Sequence, residues 1–368
     1  MQQLETKTVL GLYADLPATS ISACLLKTDG LDILSDPVSL TRPYSAELKE
    51  RLLNLNPQED LANAELLKEL DSLVTVEHLS VAEELLAWAD RQVPEPDLVG
   101  YSGHTVYQGI ADKHAVLLGN GNDLARVLRV PVIDRFIQSD LQAGGTGGPL
   151  LSTFWEAQTR KRPKPVGIIA LGGITSLTYI GSLGEQYAFD IGVGCLLLDK
   201  WLQRHAGLEM DFDGLMGAKG QVDRHLLDYL LKTPYLAQKP PKAIDRNGFN
   251  DLMKQVEGSS PADGAATLTA FIVGSITRSV SYLPTPPVEW ILTGGGTLNP
   301  TLVLLLKKAL SGPVYTVSDL KWNIYSLEAA AYAFLAARSL MQLPITFPTT
   351  TGVPEPLTGG FYHSVSQK

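Results

Sequence analysis

Paired glycines behind apolar strands are the residues in this chain whose type and spacing point most directly to chemistry. Ala170-Leu171-Gly172-Gly173-Ile174-Thr175-Ser176 sets Gly172 and Gly173 between two apolar runs, and Gly294-Gly295-Gly296 follows Trp290-Ile291-Leu292-Thr293. Glycine tolerates positive φ and lets backbone N–H groups approach an anion closely. Three glycines between a strand and a helix over Pro300–Leu310 also suit a nucleotide lying over a helix N-terminus. The same residues serve equally as plain hairpin or packing turns. Between them, Phe189-Asp190-Ile191-Gly192-Val193-Gly194 puts one carboxylate at a strand end beside a flexible turn. An aspartate there can take a proton from an attacking hydroxyl or water, join a magnesium shell, or simply form a turn or cap. Asp140, ahead of Ala143-Gly144-Gly145-Thr146-Gly147-Gly148-Pro149-Leu150, has the same range of uses. The six histidines show no metal-ligand spacing, which argues against zinc, and neither a P-loop nor a Gly-x-Ser-x-Gly elbow is present.

These turns need strands and helices to hold them, and the chain supplies such a unit twice. Val9-Leu10-Gly11-Leu12-Tyr13 with Ile21 to Leu26 reads as a strand pair, as do residues 166–180. Helical spacing runs through Leu48–Leu53, Leu66–Val74 and Val81–Trp88, then from about Cys195 to Arg204, around 221–232, over 264–282 and over Glu328–Leu340. Short strands are expected at 98–100, 116–120, 130–134 and 290–293. The repeat predicts an α/β protein of two similar domains facing each other across a cleft. The polar, proline-broken Lys161-Arg162-Pro163-Lys164-Pro165 puts the boundary so that 1–164 and 165–368 form the halves, the last helix and tail packing back on the first. At 368 residues two domains are the natural expectation. A net charge of -9 argues against a general affinity for nucleic acid backbones. No run of eighteen apolar residues is present, and Met1-Gln2-Gln3-Leu4-Glu5-Thr6 does not open a signal peptide. No membrane partner and a cytoplasmic location are therefore expected. Cys24 and Cys195 sit in apolar contexts, as reduced, inert thiols do.

Taken in order, these segments resemble the anhydro-N-acetylmuramic acid kinase family, within the actin-like, sugar-kinase and Hsp70 superfamily. Asp140 with the glycine segment resembles Asp-x-x-Ala-Gly-Gly-Gln-Gly-Ala-Pro-Leu. Phe189 to Gly194 with Leu198-Asp199-Lys200-Trp201 resembles Phe-Asp-x-Gly-Pro-Gly-Asn followed by Met-Asp-x-Trp. Asp213-Gly214, Pro240-Pro241-Lys242 with Arg246 and Phe249, Ala266 to Thr269, Gly294 to Gly296 with Asn299, Glu328-Ala329 and Thr351-Gly352 extend the match over nearly the whole chain. The resemblance implies two actin-like (ribonuclease H-like) domains flanking a central cleft. It further implies ATP and magnesium as cofactors, and a 1,6-anhydro-sugar whose ring is opened by water and whose O6 is phosphorylated, in cell-wall sugar recycling. Asp190 then matches the base that activates water. Gly172, Gly173, Gly192, Gly294, Gly295 and Gly296 match nucleotide-binding positions, and Ser102, His104, Asp140, Gly144 and Gly145 fall in the sugar-binding segments. A homodimer is expected on the same ground. The base role also needs Asp190 unpaired by Lys or Arg, and Asp199 is expected on its helix surface.

The chain departs from the family's pattern at polar positions. Gly11-Leu12-Tyr13-Ala14-Asp15-Leu16-Pro17-Ala18-Thr19-Ser20 stands where the family reads Gly-x-Met-Ser-Gly-Thr-Ser-x-Asp-Gly. Pro17 removes a backbone donor, and Asp15 sets a negative charge where phosphate should lie. Ser102 and His104 replace His and Gln, Arg135 and Ile137 replace Asp and Arg, Ala170 and Ser176 replace two Asn, Val193 and Cys195 replace Pro and Asn, and Ala243 replaces Ser. Two functions remain open on the residues alone. One is an ATP-dependent sugar kinase with Asp190 as base. The other is a catalytically inactive paralogue that binds a sugar or a protein partner.

Overall fold

Strands covered on both faces must be apolar on both faces, and the opening of the chain has that character. Val9, Leu10 and Leu12 of β1 (Lys7–Ala14) and Ile21, Ala23, Cys24, Leu25 and Leu26 of β2 (Ser20–Thr28) are all buried. The two pair antiparallel with Leu10 opposite Leu25 and Gly11 opposite Cys24. In the computed structural model, which describes residues 5–15, 18–89, 93–244 and 250–365, the chain falls into two units. The first comprises Met1–Gln158, Tyr325–Pro348 and Val353–Lys368, the second Thr159–Ile324 and Thr349–Gly352.

In the first unit β3 (Val38–Pro43) joins β2 antiparallel, while β4 (Leu98–Tyr101) lies parallel to β1 and β7 (Val132–Asp134) parallel to β4. A separate hairpin is made by β5 (His104–Gly109) and β6 (His114–Leu118). In the second unit β8 (Val166–Leu171), β9 (Ile174–Ile180) and β10 (Gln186–Val193) form an antiparallel meander, and β11 (Glu289–Thr293) and β12 (Val314–Thr316) extend it parallel from β8. The order β7-β4-β1-β2-β3 is thus the counterpart of β12-β11-β8-β9-β10. Each sheet carries three antiparallel strands followed by two parallel ones, the ribonuclease H-like order. Its duplication makes the chain an actin-like α/β protein, with its two glycine-bearing strand pairs in separate sheets.

The side chains of β1 alternate between two helix layers. Leu10 and Leu12 join a core with Leu70, Val74 and Leu85 of the helix Ala64–Ala89. On the other face lies Gly11, beneath the helix Leu327–Leu340, whose Ala329, Ala330, Ala333, Ala336 and Ala337 are buried. A Cβ on Gly11 would land on the Ala329 carbonyl oxygen, and one on Gly100 of β4 on that of Tyr332. Alanine on the helix and glycine on the strands thus let the two main chains touch. The sequence reading had split Ala64–Ala89 into two helices and had not foreseen β3, β12 or β13 (Phe361–His363). The last two strands span three residues each, too few to show a period, and β3 is half-exposed rather than apolar. β13 pairs antiparallel with β7, and His363 Nε2 lies 2.8 Å from Asp134 Oδ1.

The second unit buries two adjoining cores. Ile169, Leu171, Phe189, Trp290, Leu292 and Leu302 form one, and Leu197, Leu198, Trp201, Leu268 and Phe271 anchor the other. Trp201 of the helix Cys195–Ala206 donates through Nε1 to the Pro261 carbonyl at 2.9 Å, against the helix Pro261–Ser279. Among the described residues no helix is long and apolar enough to cross a membrane.

The close approach at Gly11 sets a stability test. Gly11→Ala and Gly100→Ala should each cost at least about 2 kcal/mol in urea unfolding, because neither main chain can yield cheaply. Gly295→Ala, whose added Cβ meets nothing within 4 Å, should leave stability within about 0.5 kcal/mol of the original.

Candidate active site

Leu171 ends β8, and three chain segments close around it. The Gly172 carbonyl accepts from Cys195 N at 2.9 Å, and the Gly173 carbonyl from Gly194 N at 2.8 Å and Leu196 N at 3.3 Å. The first N–H groups of the helix Cys195–Ala206 are thereby satisfied by the glycine turn instead of by a side-chain cap. A Cβ on Gly194 would strike Thr175 Oγ1 and the Gly172 carbonyl, so glycine is required there. Gly294, at φ +83°, would place a Cβ 2.8 Å from the Leu171 carbonyl oxygen. Gly296 would place one 2.8 Å from Leu171 Cβ and 2.9 Å from Cys195 Sγ. The structure therefore brings Gly172, Gly173, Gly294, Gly295 and Gly296 together. Among the described residues no turn or loop hydrogen bond engages the N–H of Gly172 or Gly173.

The helix expected over Pro300–Leu310 starts with its own cap and not directly at the glycines. A 3₁₀ turn, Gly295–Leu298, intervenes, and the helix Pro300–Ala309 is capped by Asn299 Oδ1, which accepts from Leu302 N at 2.9 Å. That side chain satisfies one of the helix's first N–H groups.

Asp190 lies within β10, not at its end. It faces Ser176, and the register shifts before Gly192, which faces Thr175. Such a bulge re-aims the side chains around it. Asp190 N donates to the Lys242 carbonyl at 2.9 Å, its Oδ2 accepts from Ile244 N at 3.0 Å, and its carbonyl accepts from Tyr235 Oη at 2.9 Å. The side chain is half-buried, and the Lys242 ammonium is close enough for the two charges to act on each other. Asp190, expected to be unpaired by Lys or Arg, thus lies within the electrostatic reach of Lys242. Arg246 and Phe249 lie outside the described residues.

In the first unit the turn from β1 to β2 is closed by its own carboxylate. Asp15 accepts from Thr19 N at 2.6 Å, Ser20 N at 3.1 Å and Ser20 Oγ at 3.3 Å, and also from the Thr19 hydroxyl. These are donors of the kind a phosphate would use, and a side-chain anion holds them. Leu16 and Pro17 lie outside the described residues. Burial, and secondarily the charge of Asp15, pushes Glu328 at the start of the helix Leu327–Leu340 up to about 7.

The expected sugar-side residues are placed as supports. Ser102 N donates to the Leu12 carbonyl at 3.0 Å, while Ser102 Oγ donates to the Gly103 carbonyl at 2.8 Å and receives Ala14 N at 3.2 Å. His104 is buried edge-on to Tyr44, ring centroids 5.8 Å apart. Asp140, 1% exposed, accepts from Gly147 N at 2.8 Å, and its carbonyl from Gly145 N at 2.9 Å. Lys113 Nζ reaches the Gly144 carbonyl at 3.0 Å and that of Gly145 at 2.7 Å, and Gln108 Nε2 the Thr146 carbonyl at 3.1 Å. Sequence reasoning missed Lys113 and Gln108 because they bind main chain and belong to no motif.

Asp199, expected on a helix surface, is half-buried; burial, and then the charge of Asp211, pushes it up to about 7. Burial pushes the Cys195 thiol up to about 12 and Cys24 higher still, so neither is a nucleophile near neutrality. Among the described residues no group of three or more His, Cys, Asp or Glu gathers to hold a metal.

A family model described as anhydro-N-acetylmuramic acid kinase matches residues 7–363. The chain belongs to that family. Anhydro-N-acetylmuramic acid kinase of Paramagnetospirillum magneticum is 35% identical, over 96% of this chain and 99% of its own length. That of Rhodospirillum rubrum is 37% identical, over 96% and 93%. Among solved structures, the activator of the 2-hydroxyisocaproyl-CoA dehydratase from Clostridium difficile with bound ADPNP aligns over 91% of this chain and 97% of its own. Its identity is 13% and its TM-score 0.43. Family membership makes the chain a sugar kinase, an ATP-dependent phosphotransferase with an alcohol acceptor.

The raised Asp199 gives a pH test with a definite sign. Its folded value lies above its ordinary 3.8, so the stability tied to its proton is full below about pH 4 and lost as the pH rises toward 7. Asp199→Asn should therefore melt above the original protein at pH 8. The gap should close by about pH 4, read by thermal unfolding at both values.

Proposed function

We propose that this chain opens a 1,6-anhydro-sugar with water and phosphorylates the freed O6, anhydro-N-acetylmuramic acid being the substrate its family indicates. The observation that carries the reading is the convergence of Gly172-Gly173 and Gly294 to Gly296 on Leu171, with Gly295 facing open space where a side chain would intrude. Those turns hold the nucleotide by main-chain donors, and Gly192 keeps the bulge beside Asp190 free of a side chain. Magnesium, when bound, neutralises charge on the phosphates; no residue is assigned to it.

Asp190 takes a proton from water as the water oxygen bonds to the anomeric carbon. The bond from that carbon to O6 breaks, and O6 forms its new bond to the γ-phosphorus of ATP as ADP departs. The net change consumes one water and one ATP and releases one proton. By resemblance to the family, Ser102, His104 and the loop built by Asp140, Gly144 and Gly145 belong to the sugar-binding segments of the first unit. Cell-wall sugar recycling, a cytoplasmic location and a homodimer belong to the same proposal, on resemblance to the family.

A second reading is a binding protein without phosphoryl transfer, and one observation favours it. The Asp15 carboxylate occupies the donors of the β1–β2 turn that the family's pattern gives to phosphate.

Turnover of anhydro-N-acetylmuramic acid and other 1,6-anhydro-sugars decides between the readings. Asp190→Asn should lower kcat about 10²–10⁴-fold with little change in sugar KM. Absence of wild-type turnover on every sugar would leave only the binding reading.

Nucleotide binding has its own readout in the upward shift of melting temperature with ATP and magnesium. Gly295→Val should abolish the shift, and Asp15→Asn, which keeps the Oδ1 acceptor for Thr19 N and Ser20 N and removes the charge, should tighten ATP binding about tenfold. No shift at millimolar ATP would refute the nucleotide assignment.

A further inference from the structure

Lys242 follows Pro240-Pro241 and is only 4% exposed, a rare setting for an ammonium. Its Nζ lies 4.4 Å from the ring centroid of Tyr235 and 5.4 Å from that of Tyr282, and donates to the Tyr235 carbonyl at 3.0 Å. Two aromatic faces and one carbonyl replace little of the water it has lost. Burial accordingly lowers its pKa to about 8, while the charge of Asp190 resists the fall.

The main chain ties the same residues together. Asp190 N donates to the Lys242 carbonyl, Ile244 N donates to the Asp190 carboxylate, and Tyr235 Oη donates to the Asp190 carbonyl. Tyr282 Oη closes the frame on the Leu236 carbonyl at 2.9 Å. The segment 235–244 therefore grips Asp190 at its amide, its carbonyl and its carboxylate, and adds a positive charge. Packing alone gives no reason for that charge. An apolar chain of similar length would fill the space between two tyrosine rings without the desolvation cost of an ammonium.

We propose that Lys242 is a positioning residue for the transfer reaction, its ammonium holding the Asp190 carboxylate charged and in place. The inference rests on the reading of Asp190 as the base.

The test compares steady-state kinetics of the original protein, Asp190→Asn, Lys242→Met, Lys242→Arg and the Asp190→Asn/Lys242→Met double variant. Lys242→Met keeps the stem between the rings and removes the charge. Its kcat should fall about 10–100-fold, with sugar KM within about twofold and no loss of melting temperature. Lys242→Arg should restore most of kcat, since it keeps a cation over the rings. In the Asp190→Asn background Lys242→Met should cost nothing further, because its effect passes through Asp190. Unchanged kcat in Lys242→Met, beside a large loss in Asp190→Asn, overturns this inference and leaves the base intact. Additive losses overturn it as well, by showing that Lys242 acts elsewhere. Unchanged kcat in Asp190→Asn, or no turnover in the original protein, overturns the base assignment and this inference with it. Lys242→Gln repeats the comparison should the Met variant fold poorly.

Discussion

Main chain meeting main chain, with no room for a side chain, is the constraint on which this structure depends. Around Leu171 the β8–β9 turn, the start of the helix Cys195–Ala206 and the loop after β11 approach so closely that Gly194, Gly294 and Gly296 would each collide through a single methyl group. The hydrogen bonds from Gly194, Cys195 and Leu196 fix the helix start against the β8–β9 turn. Such a junction is stiff, because shortening one contact lengthens another. It presents backbone amides instead of side chains, which suits a ligand recognised by its phosphates more than by its shape. The first unit applies the same constraint to Gly11 and Gly100, where the contact seats a helix.

Carboxylates recur as the acceptors that close turns of backbone donors. Asp15 closes the β1–β2 turn, Asp140 closes the glycine loop at Gly147, and Asp211 accepts Met216 N at 2.8 Å and Gly217 N at 3.0 Å. Each converts a cluster of backbone donors into a self-contained loop. In the Asp140 loop and around Asp211 the carboxylate builds shape. At Asp15 it closes the β1–β2 turn in the same way, so one residue type both folds a turn and takes up the turn's donors.

The sequence made the doubled strand–turn–strand plan legible because apolar residues line β1, β2, β8 and β9, with Gly172 and Gly173 marking the β8–β9 turn. The gathering of Gly172 with Gly294 was suggested by residue type alone, though it joins positions far apart in the chain. Asp190 was legible as a residue but not in its setting, since the bulge before Gly192 and the grip of Tyr235 and Ile244 depend on tertiary contacts. Asp199 was misread because helical position gives no sign of a second carboxylate arriving from Asp211. Short strands such as Val314–Thr316 and Phe361–His363 carry too few residues for a period to emerge.

The first unit is written in pieces, and its central helix is made late. Leu327–Leu340, which covers Gly11 and Gly100, comes after almost all of the second unit, and β13 comes later still. During vectorial synthesis the N-terminal sheet therefore waits with one apolar face bare until the ribosome has passed residue 340. The second unit has by then received nearly all of its chain. The part of the protein translated first is the part completed last, and a truncation ahead of residue 327 would strip the helix that covers Gly11 and Gly100 from the N-terminal sheet.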